Sequence, residues 1–289
     1  MRRTLLSVAA RVLTPAAFAR LHCAAKLGYR PNLDNPTTFT ERLLAKRVFD
    51  HDPLIPMTAD KFTLRGYVEE RLGADYLPRL YAVIESAADV DLTSLPADYV
   101  MKGTHGSGWN RIVTGSDLTR AEAMTLATDW LGRSYYRKRL EWAYRDLTPR
   151  VVFEENLAPG RPIDDYKVFV FGGVPRIIQV DRDRFTDHRR TLYTPEWRAV
   201  SVACEYPLLA APVEVPPRLG EMLGAAAKLA EPFAFARVDF YSLPDRLVVG
   251  EITHYPEGGV VRFEPRAFDL ELGAVWGGGR PVGGEFLTS

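Results

Sequence analysis

Apolar residues recur along this chain in two periods. Spacings of three and four, as in Leu5, Val8 and Val12 or in Ala123, Leu126, Ala127 and Trp130, predict amphipathic helices, while alternation and short β-branched runs predict strands. A first helical stretch covers residues 1–30, broken by Pro15 and ended near Gly28 and Pro31. Thr38 can cap a second helix, with Glu41 three residues on closing a capping box, and this helix should run to about Phe49. Further helices are expected over Asp60–Leu72, closed by Gly73, over Thr119–Leu131, and over Pro216–Lys228 into Leu229. Single strands are expected at Tyr76–Val83, with Pro78 at its edge, and at Arg150–Glu155. Three hairpins follow the same logic: Asp98–Thr114, then Tyr166–Phe171 with Val174–Val180 about a Gly172-Gly173 turn, then Ala236–Tyr241 with Leu247–Thr253 about Leu243–Arg246. Ala87–Leu95 is a polar connection, Ser134–Tyr144 a basic aromatic segment of undetermined form, and Arg182–Arg190 a loop dense in cations. Gly277–Ser289 is a glycine-rich tail expected to be flexible, and no internal repeat is present.

Composition changes this picture little. At 289 residues and 46% hydrophobic content the chain can bury a real core as one large domain or two lobes. Lys+Arg and Asp+Glu both total 37, so overall charge gives no support to nucleic acid or an anionic membrane as partner. Cys23 and Cys204 match no metal or redox spacing, which argues for a reducing compartment, with cytoplasm as the default. Met1-Arg2-Arg3 before Thr4–Ala10 has a faint signal-peptide look, but Arg11 interrupts the apolar run, and no segment approaches the ~18–20 apolar residues of a membrane span.

Candidate chemistry lies in two hairpins. In Tyr99–Thr114, two β-prone runs flank a loop carrying Gly103, Gly106 and Gly108. Such a loop can turn backbone N–H groups onto a phosphate, with Lys102 adding a point charge; it can equally be a plain turn with a surface lysine. It is neither a P-loop nor a dinucleotide fingerprint, because a strand and not a helix follows Asn110. In the last hairpin, a turn centred near Asp245 would set Asp239 opposite Glu251, with side chains about 5 Å apart, and Arg237 and Thr253 on the same face. Val238, Phe240, Val248 and Ile252 would cover the core from the other face. Paired carboxylates of this kind suit Mg²⁺ carried by a nucleotide, or form an ordinary solvated charged face.

The order of these parts resembles an ATP-grasp enzyme. More closely, Thr38-Phe39-Thr40-Glu41-Arg42, Ala59-Asp60-Lys61, Met101-Lys102-Gly103-Thr104-His105-Gly106-Ser107-Gly108, Asp165-Tyr166-Lys167, Asp187-His188-Arg189-Arg190 and Gly250-Glu251-Ile252-Thr253-His254-Tyr255-Pro256 resemble the TupA-like group, linked to teichuronopeptide and surface-polysaccharide biosynthesis. The resemblance covers roughly residues 32–272 and implies an α+β fold of two lobes, with mainly antiparallel sheets clamping ATP, after a short helical segment. On that basis residues 1–56 are expected as the helical segment, 57–153 as the lobe with the glycine flap, 154–276 as the lobe with the metal site, and 277–289 as the tail. Lys61, as a helix residue, and Lys102 would contact the phosphates, and the flap through Gly103, His105, Gly106, Ser107 and Gly108 would close over them. Glu154, Glu155, Asn156 and Leu157 would form the hinge beside adenine, and Asp164 or Asp165 would meet the ribose or a substrate. Asp239 and Glu251 would hold Mg²⁺, with Lys167 and Arg237 near the γ-phosphate or the acyl intermediate.

Two departures stand out. Thr253 occupies a place where many ATP-grasp enzymes have a metal-binding Asn, and residues 1–55 leave no room for the usual preceding α/β domain. Substrate contacts are therefore sought in the cation loop, where Arg182, Arg184 and Arg189, with His188 and Arg190, suit a carboxylate such as a uronic acid; pairing with Asp181, Asp183 and Asp187 is the competing reading. The expected activity is an ATP-dependent carboxylate–amine ligase joining an amino acid to a uronate-containing glycan. A phosphotransferase acting on a hydroxyl, and a nucleotide-binding module without turnover, are the alternatives.

Overall fold

The computed structural model describes residues 6, 9–161, 163–182, 187–279 and 282–287. Two antiparallel sheets organise it. The smaller has strand order β1 (Leu80–Ile84), β4 (Val151–Glu155), β2 (Tyr99–Gly103), β3 (Asn110–Val113). The larger runs β11 (Leu247–Thr253), β10 (Phe235–Ser242), β5 (Asp165–Phe171), β6 (Val174–Arg182), β7 (Arg189–Tyr193), β8 (Ala199–Val200). A short pair joins β9 (Ala203–Cys204) to β12 (Phe263–Glu264).

Three of the described helices begin where a side chain caps them. Thr14 accepts from the Ala17 amide ahead of α1 (Pro15–Leu27), and Gly28 in the left-handed region closes that helix. Thr38 and Glu41 form the expected capping box of α2 (Phe39–Phe49). The helix expected over Asp60–Leu72 starts three residues late, and a further helix precedes it. Residues 54–72 form α3 (Leu54–Ala59) and α4 (Thr63–Leu72), because the Asp60 carboxylate accepts from the Phe62 and Thr63 amides, at 2.9 Å each, and stops the first helix as it starts the second. Lys61 therefore sits in a turn and not in a helix. α5 (Arg120–Leu131) begins at another capping box, Thr119 with Glu122, and α6 (Tyr136–Arg139) is a single turn in the basic aromatic segment.

Each face of the larger sheet has a different fate, set by strand alternation. Tyr166, Val168, Val170, Ile178, Val180, Val238 and Phe240 point to one face and pack against α3, α4 and α7 (Leu219–Ala230). Residues 57–72, expected with the flap lobe, thus help form the core of the larger sheet. The opposite face changes character along its strands. At one end Phe169, Phe171, Phe235 and Ile177 pack with Phe39 of α2 and Phe268 of α8 (Ala267–Gly278). At the other end the same face carries Asp165, Lys167, Asp181, Arg237 and Asp239. The smaller sheet packs Tyr99, Met101, Val113, Val151 and Phe153 on α5.

The tail departs from expectation. Helix α8 reaches Gly278, and Phe286, only 8% exposed, packs against Phe268 with ring centroids 5.1 Å apart, while Leu287 bridges to Val200. One aromatic side chain finds a greasy slot that the glycine count around it conceals.

Candidate functional site

A cavity of about 560 Å³ lies where the flap hairpin β2–β3 faces the charged end of the larger sheet. Its floor is a set of cross-strand rows. Glu251, Asp239, Lys167 and Gln179 stand side by side on four neighbouring strands, and Tyr241, Asp165, Asp181 and Arg190 form the next row. Asp239 opposes Glu251 and Arg237 opposes Thr253, as the sequence leads one to expect. A bulge at Gly250 shifts the register between Asp239 and Phe240, so Phe240 pairs with Val249. Val249, in place of the expected Val248, therefore joins the core beside Phe240.

The floor is electrostatically dense. Arg237 donates to both Asp239 oxygens at 2.7 Å and reaches Thr253 Oγ1 at 3.2 Å and Glu251 at 3.5 Å. Lys167 pairs with Asp165, lies 3.3 Å from Asp239 and 3.7 Å from Asp181, and is 4% exposed. Burial alone would depress its ammonium, but Asp239 and Asp165 outweigh that and hold it above its ordinary range. Burial raises the Asp239 carboxyl to about 6 despite Arg237 and Lys167. Burial pushes Glu251 the same way, but Lys61, Arg237 and Lys167 bring it down to about 2. Glu251, whose side chain keeps 31% of its surface open and faces Lys61 at 3.5 Å, is thus the firmly charged member of the pair.

The flap forms the roof. Lys61 donates to the Gly106 carbonyl at 2.8 Å, and Thr104 donates to Asp60 at 2.7 Å, which ties the flap root to the turn that carries Lys61. Gly106 is required by close approach: a Cβ there would meet the Trp109 ring at 2.6 Å. Trp109 in turn meets Tyr135 edge-on at 5.8 Å. Lys102 pairs with Glu154; burial would lower its ammonium, but Glu154 holds it above its ordinary value. Glu155 accepts both of its 2.7 Å bonds from Arg246, in the turn between β10 and β11, so the end of β4 is tied to the last hairpin.

Of the candidates from sequence, Lys61, Lys102, Ser107, Gly108, Asp165, Lys167, Arg237, Asp239, Glu251 and Thr253 line the cavity. Gly103, Gly106, Glu154, Glu155, Asn156 and Leu157 are not among the residues that line it. His105 does not face it: the imidazole is buried, held below its usual pKa by that burial, and bonded to the Trp130 carbonyl at 3.1 Å. Arg182 is gripped by Asp164 at 3.1 and 2.8 Å, and Arg189 by Asp187 at 2.9 Å, both outside the cavity. Arg184 lies outside the described residues. Among the described residues of the cation loop, Arg190 reaches the cavity, because alternation on β7 turns it opposite to Arg189 and pairs it across the strands with Asp181, at 2.7 Å. Asp181 was legible in the period-two run Ile177, Gln179, Asp181. Arg139, Glu141, Tyr144 and Glu257 carry no such signal, since tertiary folding alone brings segments 135–144 and 256–259 to this wall.

Among the described residues, no group of three His, Cys, Asp or Glu side chains is gathered to hold a metal unaided. The opposed Asp239 and Glu251 carboxylates, with the Thr253 hydroxyl beside them, are hard oxygen donors of the kind that bind Mg²⁺ when phosphate oxygens complete its shell.

The solved structures similar to this chain include PsnB, an ATP-grasp ligase complexed with a phosphomimetic variant of its minimal precursor, Mg and ADP, at 13% identity and TM-score 0.44, covering 71% of this chain and 52% of that one. The D-alanine–D-alanine ligase from Bacillus anthracis complexed with ATP matches at 15% identity and TM-score 0.43, covering 68% and 55%. The corresponding ligase from Helicobacter pylori matches at 14% and 0.42, covering 70% and 56%. This chain thus spans about half the length of the solved structures it matches. No curated protein matches it. A family profile described as TupA-like ATPgrasp matches residues 41–276, which takes in the flap and both cavity-lining hairpins, and the chain belongs to the TupA-like ATP-grasp family.

Proposed function

We propose that this protein is an ATP-dependent carboxylate–amine ligase. The observation that carries the reading is the gathering, on one cavity, of Lys61 and Lys102 beneath the glycine flap with the opposed Asp239–Glu251 pair. Lys61 and Lys102 would neutralise phosphate charge, and Asp239, Glu251 and Thr253 would hold Mg²⁺, which when bound offsets the charge on the transferring phosphoryl group. Arg237 and Lys167 would orient the reacting carboxylate. Its oxygen attacks the γ-phosphorus, ADP leaves, and an amine then attacks the acyl carbon and expels phosphate. Such chemistry is positioning and charge neutralisation, which a floor of fixed ion pairs supplies without a protein nucleophile.

The smaller sheet with the flap and the larger sheet with the carboxylate pair would act as two jaws, hinged at 154–157 and linked by Arg246 and Glu155. The acid is proposed to be a glycan uronate and the amine an amino acid, in cell-surface polysaccharide synthesis. We place the reaction in the cytoplasm, where ATP is available and the buried free thiols of Cys23 and Cys204 stay reduced. Among the described residues no helix is long and apolar enough to cross a membrane.

ADP release from Mg-ATP, with and without pooled amino acids and uronic acids, tests the reading. Release should require both an acid and an amine, and Glu251→Gln should lower it roughly 100-fold. A stable phosphorylated product formed without an amine would make the protein a phosphotransferase instead, and failure to bind ATP would overturn both.

A further inference from the structure

An amine substrate needs a place of its own, and the cavity wall built from residues 135–144 and the Tyr255–Gly259 stretch carries charged and polar groups with little hydrogen bonding from the protein. Glu141 is 5% exposed and lines the cavity, yet its carboxylate makes no hydrogen bond or ion pair among the described residues. Tyr255 is 3% exposed and also lines it, and its hydroxyl has no partner. The Arg139 side chain lies flat on Gly258, so close that a Cβ at that position would stand 2.5 Å from its Cδ and Nη1. Its guanidinium makes no hydrogen bond or close ion pair among the described residues, acts through space on the Glu141 carboxylate, and faces the same cavity. Gly258, at φ 70, is what lets the turn pass beneath that side chain. From below, Arg47 fixes the turn by donating to the Gly258 carbonyl at 2.5 Å.

Burial disfavours the Glu141 carboxylate, and Arg139, Arg47 and Lys138 offset this only through space, so a ligand that hydrogen-bonds to it relieves a desolvation penalty. The neighbours decide which ligand. A simple anion would satisfy Arg139 but be repelled by Glu141 and by Glu257, the latter already engaged with Arg190 at 3.3 Å. A simple amine would pair with Glu141 but meet the Arg139 charge that already faces that carboxylate. A molecule carrying an ammonium and a carboxylate a few ångströms apart satisfies both.

We propose that Arg139, Glu141 and Tyr255 form the subsite for an α-amino acid, its ammonium received by Glu141, its carboxylate by Arg139, and the Tyr255 hydroxyl donating to that same carboxylate. The proposal rests on the ligase reading for its place in a reaction, but binding can be measured without turnover.

The test is ligand-observed NMR, followed by titration calorimetry, on the full chain with each standard L-amino acid, its N-acetyl form and its carboxamide, with and without a non-hydrolysable Mg-ATP analogue. At least one free amino acid should bind, and its N-acetyl and carboxamide forms should bind at least tenfold more weakly. Glu141→Gln and Arg139→Ala should each weaken it tenfold or more, with Arg139→Lys recovering part of the loss. Arg139 is only half-buried, so its variants decide the matter should Glu141→Gln fold poorly. Equal affinity for the N-acetyl form, or unchanged affinity in the Arg139→Ala variant, would overturn the subsite. No amino acid binding to a protein that does bind the ATP analogue overturns the subsite alone. Amino acid binding without nucleotide binding supports the subsite and overturns the ligase reading.

Discussion

Replacing Lys167 by Met removes the one ammonium at the centre of the cavity floor. At an effective dielectric of about 20, a unit charge pair at the 3.3 Å seen to Asp239 gains roughly 5 kcal/mol before desolvation. Deleting one partner of a buried pair costs about 3–5 kcal/mol, because the other is left charged and dry. The lower end applies here: Asp239 keeps both bonds from Arg237, and Asp181 keeps Arg190 and His188. Asp165 loses the ammonium it pairs with in the intact protein. Lys167→Met should therefore lower stability by about 3 kcal/mol, and the melting temperature by roughly 6 °C or more. Adding Asp165→Asn removes the carboxylate that faced the lost ammonium, so the double variant should recover about 2 kcal/mol relative to the sum of the single changes. Urea unfolding of the four proteins measures this coupling, and ADP release reports the accompanying loss of activity. Additive effects, or a melting shift under about 2 °C for Lys167→Met, would show that the floor is not held by the ion pairs described.

Gly106→Ala should displace the Trp109 indole, which a new Cβ would meet at 2.6 Å; nucleotide affinity should fall roughly tenfold and Trp109 emission shift, with little change in melting temperature. Gly273→Ala should be far more costly to the fold, about 3 kcal/mol or more, because its Cβ would stand 2.0 Å from the Thr37 backbone oxygen, which cannot rotate away; thermal unfolding reads this directly. Burial first, then Arg47, Arg139 and Lys26, lower the His22 imidazole to about 3, and burial holds His254 well below its usual range. Below pH 6.5 the unfolded chain binds these protons and the native one does not. Stability should therefore fall from pH 6.5 towards pH 5 by up to about 1.4 kcal/mol per unit for each histidine, and His22→Phe should flatten that slope.

Sequence by itself determined what depends on neighbours a few residues apart or on strand period. The Thr38–Glu41 capping box set the start of α2, and alternation with a turn near Asp245 put Asp239 against Glu251 and Arg237 against Thr253. The flap hairpin was legible from its glycines between two β-prone runs. The family likeness rested on the same motifs, whose chemistry is written in short stretches. Only tertiary structure decided the rest. A bulge at Gly250 moved Val249 into the core, an Asp60 turn took Lys61 out of a helix, and the face on which each residue of β7 lands left Arg189 outside the cavity and put Arg190 within it. The packing of Phe286 and the meeting of Arg139 with Gly258 join segments far apart in the chain. Local hydrogen bonds and periodicity act within one element and are readable there. Burial and charge pairing depend on which elements meet, and that is settled only when apolar faces from distant parts of the chain close on one another.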